Sequence, residues 1–382
     1  FLFLSMQTIF THIQSLFGIQ NELLPSIKGH DLNKVEHIDQ AWLLIEDDRI
    51  VDFGSMEHYP SGNYDKEINV SGQLIFPTWC DSHTHLVFAA SREDEFVLKI
   101  KGKSYEEIAL AGGGILNSAQ KIQACSEDEL FALAKQRLQK VMAMGTGAIE
   151  LKSGYGLSVE GELKMLRVIK RLKEWSPIPI KATFLGAHAY PQEFKENHQG
   201  YIDLLLHTLL PQISAEGLAD YMDVFCEQGF FSLDETNQIL TAAAKVGLKP
   251  KIHANQLSAS GAVELAVRHH ALSVDHLEEM NAAAEDALAA GSTIATLLPT
   301  CSLFLGIPFA NARRLLAKNV CLALASDYNP GSSPSGNMNL VVSLACMRQK
   351  MLPEEAINAA TLNGAAAMEL SDMYGSLSVG KV

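Results

Sequence analysis

The chain has 382 residues, 47% of them apolar and 19% charged, with a formal net charge of −14. That length suits one large barrel with an accessory domain, and a chain this apolar buries a large core, which excludes wholesale disorder. The acidic balance excludes a general nucleic-acid binder, which needs clustered Lys and Arg, but not a small anionic substrate, which needs one well-placed cation.

Residues 1–10 (FLFLSMQTIF) are apolar but lack a basic segment and a small-residue cleavage site, so they read as a poor signal peptide. The chain opens on Phe1 rather than Met and stops at Val382 directly after Gly380-Lys381; both ends read as products of cloning or fragmentation. Residues 1–75 read as short strands and turns, an accessory β-domain. Within it, 42–53 (WLLIEDDRIVDF) places two apolar patches around an Asp-Asp-Arg turn, and 67–76 (EINVSGQLIF) adds a strand with a Ser-Gly break.

After Phe76 apolar runs alternate with amphipathic helical stretches. Strand candidates end near His85, Lys152, His188, Glu227, His253, His276, Pro299 and Asp327. From Lys152 onward these ends fall roughly 30 residues apart, the length of a βα unit. The longer gap from 85 to 152 must hold an insertion. Helices are expected over 128–144, 158–174 and 308–318. The uncharged run 287–312 is punctuated by Gly291 and Pro299, so it reads as a buried strand plus a loop rather than a membrane span. Eight such units over 76–350 predict a (β/α)8 TIM-type barrel of the α/β class. The alternative, a doubly wound open sheet, lacks its G-x-G-x-x-G signature. Residues 353–370 read as a helix beginning at Pro-Glu-Glu, within a closing segment 351–382 that starts back toward the β-domain.

The six cysteines (Cys80, Cys125, Cys226, Cys301, Cys321 and Cys346) form no C-x-x-C pair, which points to reduced thiols in a cytoplasm. Of 13 histidines, eight sit in expected loops or helices and read as solvated or packed. Five lie at expected strand ends: His83, His85, His188, His253 and His276. In a parallel barrel those ends meet at one mouth, where active sites form. His83 and His85 are two apart on an extended segment and point to the same side, so both can reach one ion. Adding His253 and Asp327, three imidazoles and a carboxylate make a ligand set suited to Zn²⁺ or Fe²⁺. His276 fits either a further ligand or a group that holds water and moves its proton. His188 fits a ligand or a substrate contact. Asp275 is expected to point away from the mouth, into packing.

Nine stretches, HTHLVFAASREDEF, GKSYEEIALAGGGILNSA, ELKSGYGLSVEGELKMLRV, TFLGAHAYP, DVFCEQGFFS, HANQLS, LSVDHLE, LLPTCSLFLG and ASDYNPGSSPSGNMN, resemble in order the imidazolonepropionases of the amidohydrolase superfamily. The resemblance covers about residues 40–382. The histidines and the final Asp give only the superfamily; SREDEF, GGGI, KSGYGL and NPGSSP point to this family. It implies hydrolytic ring opening of 4-imidazolone-5-propanoate to N-formimidoyl-L-glutamate, in histidine degradation, with one divalent ion. His83, His85, His253 and Asp327 resemble the metal ligands. Arg92, Tyr105, Tyr155, His188, Asn329, Gly331 and Ser332 resemble substrate contacts, and His276 a catalytic histidine beside the metal. Members usually continue past Gly-Lys-Val with more strands.

The chemistry agrees. A ring carbonyl needs a Lewis acid and water needs a lowered pKa, which one divalent ion supplies. The propionate needs a cation, and Arg92 can bind it in bidentate fashion. Tyr155 offers a hydroxyl in a Gly-flanked loop. The Asn329–Gly331–Ser332 turn can present backbone N–H groups to an anion, and 112–114 (GGG) allows close backbone approach or a hinge. Some members carry Glu three residues after the third metal histidine, to help activate the nucleophile; this chain has Gln256, as others do. An amide is no general base, so proton handling falls on Asp327 and His276, and Gln256 reads as a hydrogen-bond partner of the ring. Lys152 is taken as structural or loop-anchoring. Competing readings are another amidohydrolase, such as a nucleobase or aminoimidazole deaminase, and a non-catalytic scaffold. A small-molecule substrate, no nucleic acid, no membrane and a possible homodimer complete the expectation.

Overall fold

The computed structural model describes residues 5–103 and 113–382, with the backbone alone for Lys99. Five strands form an N-terminal sheet: β1 (Gln7–Ile19), β2 (Glu36–Glu46), β3 (Arg49–Ser55), β4 (Lys66–Asn69) and β5 (Leu74–Ile75). The order is β3-β2-β1-β4, with β5 also on β1. The Asp-Asp turn joins β2 to β3 as a hairpin, Asp47 taking a φ of 53°, a conformation Asp tolerates. The 13-residue β1 at the centre is longer than any strand expected there. Its apolar residues do not alternate evenly, because the pairing register shifts between Phe10 and Ile13, where His12 has a φ of 56°. Ile9, Ile13, Leu16 and Ile19 are all buried, Ile19 beyond a second register shift after Phe17. The C-terminal tail returns to this sheet: Leu377 bridges Ile19, and Ile50 exchanges backbone hydrogen bonds with Gly380 and Lys381.

The second sheet is β6 (Trp79–Asp81), β7 (Thr146–Lys152), β8 (Ile180–Ala187), β9 (Tyr221–Cys226), β10 (Lys249–Ala254), β11 (Ser273–His276), β12 (Ile294–Leu297) and β13 (Leu322–Leu324). All neighbours are parallel and sequential. The seam closes just beyond the outer strands: Thr84 bridges Tyr328, Asp327 N–H donates to His83 O at 3.0 Å, and His85 N–H donates to Tyr328 O at 2.9 Å. First and last strands therefore meet, as in a (β/α)8 barrel and not in an open doubly wound sheet.

Helices cover the barrel. Glu127–Ala143 opens with a reciprocal Ser126–Glu129 capping box, and Val159–Trp175 has Ser158 as its N-cap. Each apolar side chain these helices bury fully, such as Leu138 or Leu166, contributes about 1.5–3 kcal/mol. The insertion between β6 and β7 holds Glu93–Ile100 and Gly114–Ala124 ahead of the first covering helix. Two expectations are corrected. The run 287–312 yields β12 and then a helix, Pro299–Leu305, rather than a plain loop. The helix expected over 353–370 breaks at Thr361 into Pro353–Ala360 and Leu362–Ala366. Buried Asn358 and Asn363 side chains turn to the backbone of residues 27, 32, 34 and 322, and Gly364 packs so closely on Cys80 O that a Cβ would overlap it. All six cysteines are free thiols. Among the described residues no helix is long and apolar enough to cross a membrane.

Candidate functional site

Every residue of β7 and β9 is buried, including Glu150, Lys152 and Asp223. A charge inside a barrel persists only when paired, and here the pairing leads to the histidines. His83 and His85 follow β6 and face the same interior. His83 Nδ1 lies 2.6 Å from Asp275 Oδ2. A carboxylate accepts, so this nitrogen carries the proton and Nε2 keeps its lone pair. His253, at the end of β10, places Nε2 3.4 Å from His85 Nε2, and its Nδ1 lies 2.9 Å from Asp223 Oδ2. Asp327 Oδ1 is 3.6 Å from His83 Nε2 and 3.5 Å from His85 Nε2.

His83, His85 and His253 form a buried group whose ligating atoms lie within 4.8 Å of one another, and this group can hold a divalent metal ion. The fit is geometric as well as chemical. A tetrahedral ion with bonds of about 2.0–2.1 Å has ligand–ligand edges of roughly 3.4 Å, close to the 3.4–3.6 Å separations seen here. His83 Nε2 is buried and has no hydrogen-bond partner among the described residues. Burial, then the Lys152 ammonium and neighbouring imidazoles, hold His83 neutral well below its usual pKa; burial and the rings of His188 and His253 do the same for His85. Neutral imidazole is the form that binds metal.

The expectation for Asp275 was wrong. It faces inward, bonded to His83 and to Ser273 Oγ. Simple alternation fails because His276 and Leu277 both have positive φ, 91° and 69°, which twists the strand end so that Asp275 and His276 both reach the interior. His276 lies beside the group rather than in it, its ring 5.3 Å from that of His253. Burial works against its charged form, but Glu278, whose Oε2 is 3.6 Å from His276 Nδ1, together with Asp327 and Asp275, outweighs that and raises its pKa. His188 stacks on His85 with ring centres 5.3 Å apart. Its Nδ1 is 3.1 Å from Gly154 O, so Nδ1 donates and Nε2 is left as an acceptor; burial, with His253 nearby, pushes its pKa down to about 3.

A cavity of about 470 Å³ opens over this floor, lined by Arg92, Glu95, Tyr155, His188, Gln256, Asn329, Gly331 and Ser332, with Ile115, Phe225, Phe230, Leu257 and Leu305 as apolar walls. It reaches the ligand group through His188 and through Ser332, whose Oγ lies 3.5 Å from Asp327 Oδ2. Arg92 Nε donates to Ser118 Oγ at 3.0 Å, while its buried Nη2 has no partner among the described residues. That orphaned donor suits a carboxylate ligand. Tyr155 is buried beside His85 and His188. Its loop is fixed by Glu162, which accepts from the N–H groups of Gly154, Gly156 and Leu157 at 2.7–3.1 Å.

The turn after Asp327 does not present the expected anion nest. The N–H groups of Gly331 and Ser332 both donate to Asn329 Oδ1, at 2.8 and 2.7 Å, and Asn329 Nδ2 donates to Asp327 O. Gln256 lines the cavity, its Nε2 3.5 Å from Cys301 Sγ. The two residues after it are held by Glu227, which accepts from the N–H groups of Leu257 and Ser258. Tyr105 and Gly112 lie outside the described residues. Of the two readings of Lys152, the structural one fits: among the described residues it bonds to Glu150 and Asp223 inside the barrel. Sequence reasoning passed over Asp223, Glu162 and Glu278, took Glu227 only as a strand end, and turned Asp275 the wrong way. For Asp223 and Asp275 the available signal was a lone carboxylate in a buried strand, which must have a partner.

The profile of the Amidohydrolase family matches residues 74–382. An imidazolonepropionase of Christiangramia forsetii is 52% identical over 377 residues, 99% of this chain and 92% of that protein. One from Flavobacterium johnsoniae is 54% identical over 376 residues, 98% and 92% of the two chains. One from Thermoanaerobacter pseudethanolicus is 41% identical over 353 residues, 92% and 85%. Among solved structures, a triazine hydrolase variant superposes with a TM-score of 0.73 at 13% identity, covering 98% of this chain and 85% of that one. An E. coli guanine deaminase does so with a TM-score of 0.69 at 14% identity, covering 98% and 87%. At such identities these structures share the fold alone. The three-histidine centre, the arginine-lined cavity above it and the near full-length relatives agree: this chain belongs to the imidazolonepropionase family of metal-dependent amidohydrolases.

Proposed function

We propose that the chain hydrolyses 4-imidazolone-5-propanoate to N-formimidoyl-L-glutamate, with one zinc or iron ion held by His83, His85, His253 and Asp327. The observation that carries this reading is the buried Arg92 Nη2, without a hydrogen-bond partner among the described residues, in a cavity whose His188 stacks on His85 of the three-histidine group. It joins a carboxylate anchor to a hydrolytic centre, and a nucleobase deaminase has no use for the first. The names of the relatives support it independently.

When bound, the ion supplies polarisation of the ring carbonyl and a lowered pKa for water. The residues do the rest. Arg92 takes the propionate and so fixes the ring. His188 offers Nε2 to a ring N–H, and Tyr155 and Gln256 add polar contacts at the ring edge. Phe225, Phe230 and Leu305 limit solvent. The oxygen of water bonds to the carbonyl carbon, the carbonyl C–N bond breaks, and the freed nitrogen takes a proton. Asp327, whose proton affinity burial raises, receives the proton from water. His276, biased toward its charged form by Glu278, delivers a proton to the leaving nitrogen. Asn329 and Ser332 hold Asp327 in place, and Gly331 leaves room for Arg92. The same reading takes Tyr105 as a substrate contact and the protein as cytoplasmic, without nucleic-acid or membrane partners and able to form a homodimer.

The test is loss of imidazolonepropionate on incubation with the purified protein, with and without chelator. Metal-dependent turnover is expected. Ammonia release from aminated heterocycles, with no turnover of the imidazolone, would overturn the assignment in favour of a deaminase.

A further inference from the structure

Beneath the ligand group the barrel encloses five charged side chains with no solvent exposure: Glu150, Lys152, Asp223, Lys251 and Asp275. Lys152 Nζ lies 2.5 Å from Glu150 Oε1, 2.8 Å from Asp223 Oδ2 and 3.7 Å from Asp275 Oδ2. The last two oxygens are the ones facing the ligands: Asp223 Oδ2 lies against His253 Nδ1, and Asp275 Oδ2 against His83 Nδ1. One ammonium thus stands between the carboxylate hydrogen-bonded to His83 and the carboxylate 2.9 Å from His253 Nδ1. Lys251 carries the same charge but bonds to Glu150 and to the carbonyls of Ser82 and Ala367, with no contact to either carboxylate among its hydrogen bonds.

We infer that Lys152 is a positioning residue for the metal centre, holding Asp223 and Asp275 where they orient His253 and His83. The inference rests on the metal centre proposed above. The charges support it. Removing Lys152 leaves two buried carboxylates without their shared cation, and such groups rearrange. Rearrangement frees the imidazoles from their fixed orientation.

Charge alone makes the opposite prediction. An ammonium in a low-dielectric interior repels a nearby metal ion, so deleting it should tighten binding. This separates the two explanations. Metal-free wild type, Lys152→Met and Lys251→Met are titrated with Zn²⁺ against a chromophoric chelator. Lys152→Met is expected to bind about 10- to 100-fold more weakly than wild type, and Lys251→Met within about threefold of it. Equal or tighter binding by Lys152→Met, or an equal loss in Lys251→Met, overturns the inference. If Lys152→Met does not fold, Lys152→Gln, which keeps a donor, is judged by the same criterion. Failure of the wild type to take up Zn²⁺ would overturn the metal centre itself, a result distinct from unchanged binding in the variant.

Discussion

A Cβ on Gly331 would overlap Nη1 of Arg92. The turn after β13 can pass this close to the guanidinium only because position 331 has no side chain. Gly331→Ala should therefore displace Arg92 without touching the histidines. Hydrogen bonds to charged groups contribute about 1.5–3 kcal/mol, so Arg92→Ala should raise KM by roughly 10- to 150-fold. Gly331→Ala should give a smaller rise in the same direction, with metal content unchanged. Steady-state kinetics with metal analysis decide this; a fall in kcat at constant KM would contradict the carboxylate role of Arg92.

Metal removal should cost stability as well as activity. The ligands come from three separate parts of the chain and converge only in the folded state, so the ion binds the native form alone. At a free concentration of about 100 times Kd that contributes about 2.7 kcal/mol. Chelator-treated protein should melt several degrees lower, and Zn²⁺ or Fe²⁺ should restore both melting temperature and turnover. An unchanged melting temperature would argue against the site.

The Glu278–His276 pair sets a pH dependence. Against burial, Glu278, with Asp327 and Asp275, holds the pKa of His276 above its ordinary value of 6.5. A raised imidazole adds stability that is full below the unfolded pKa and is lost as pH rises through the folded value. If protonated His276 feeds the leaving nitrogen, activity declines over the same range. Glu278→Gln should shift the alkaline limb of kcat/KM to lower pH and flatten the loss of stability above pH 6.5. Rate profiles and melts across pH measure both; a limb that does not move would remove His276 from proton delivery.

Glu162 carries the loop of Tyr155. Its carboxylate accepts three backbone N–H bonds in a buried setting. Losing an acceptor costs about 1–3 kcal/mol per stranded donor, so Glu162→Ala should destabilise the fold by about 3 kcal/mol or more and raise KM. Glu162→Gln, which keeps one acceptor oxygen, should recover part of both. Denaturant unfolding and kinetics on the two variants test the difference.

The barrel was readable because each strand is a short apolar run followed by a helix, and the histidines stand where those runs stop. His83, His85 and His253 were legible for that reason, and Asp327 because it ends the last run. What escaped notice was whatever depends on a departure from regular geometry or on contacts across the barrel. Asp275 was placed outward by alternation, which positive φ at His276 breaks. Strand β1 was hidden by a bulge that scrambles its apolar spacing. The split at Thr361 follows from asparagine side chains reaching residues more than 300 positions away, such as Asn363 to Ile27. The pairing of Lys152 with Asp223 joins different strands, and no local pattern encodes it.

The barrel seam links the chemistry to completion of the chain. Asp81 on the first strand grips Ser326, 245 residues later, and the same junction brings His83 and His85 to Asp327. A ribosome-bound chain lacking the last βα unit owns the histidines but not the carboxylate. On the proposed ligand set, full metal affinity would emerge only when the two ends of the barrel have joined, so that an unfinished or misthreaded copy would stay unarmed.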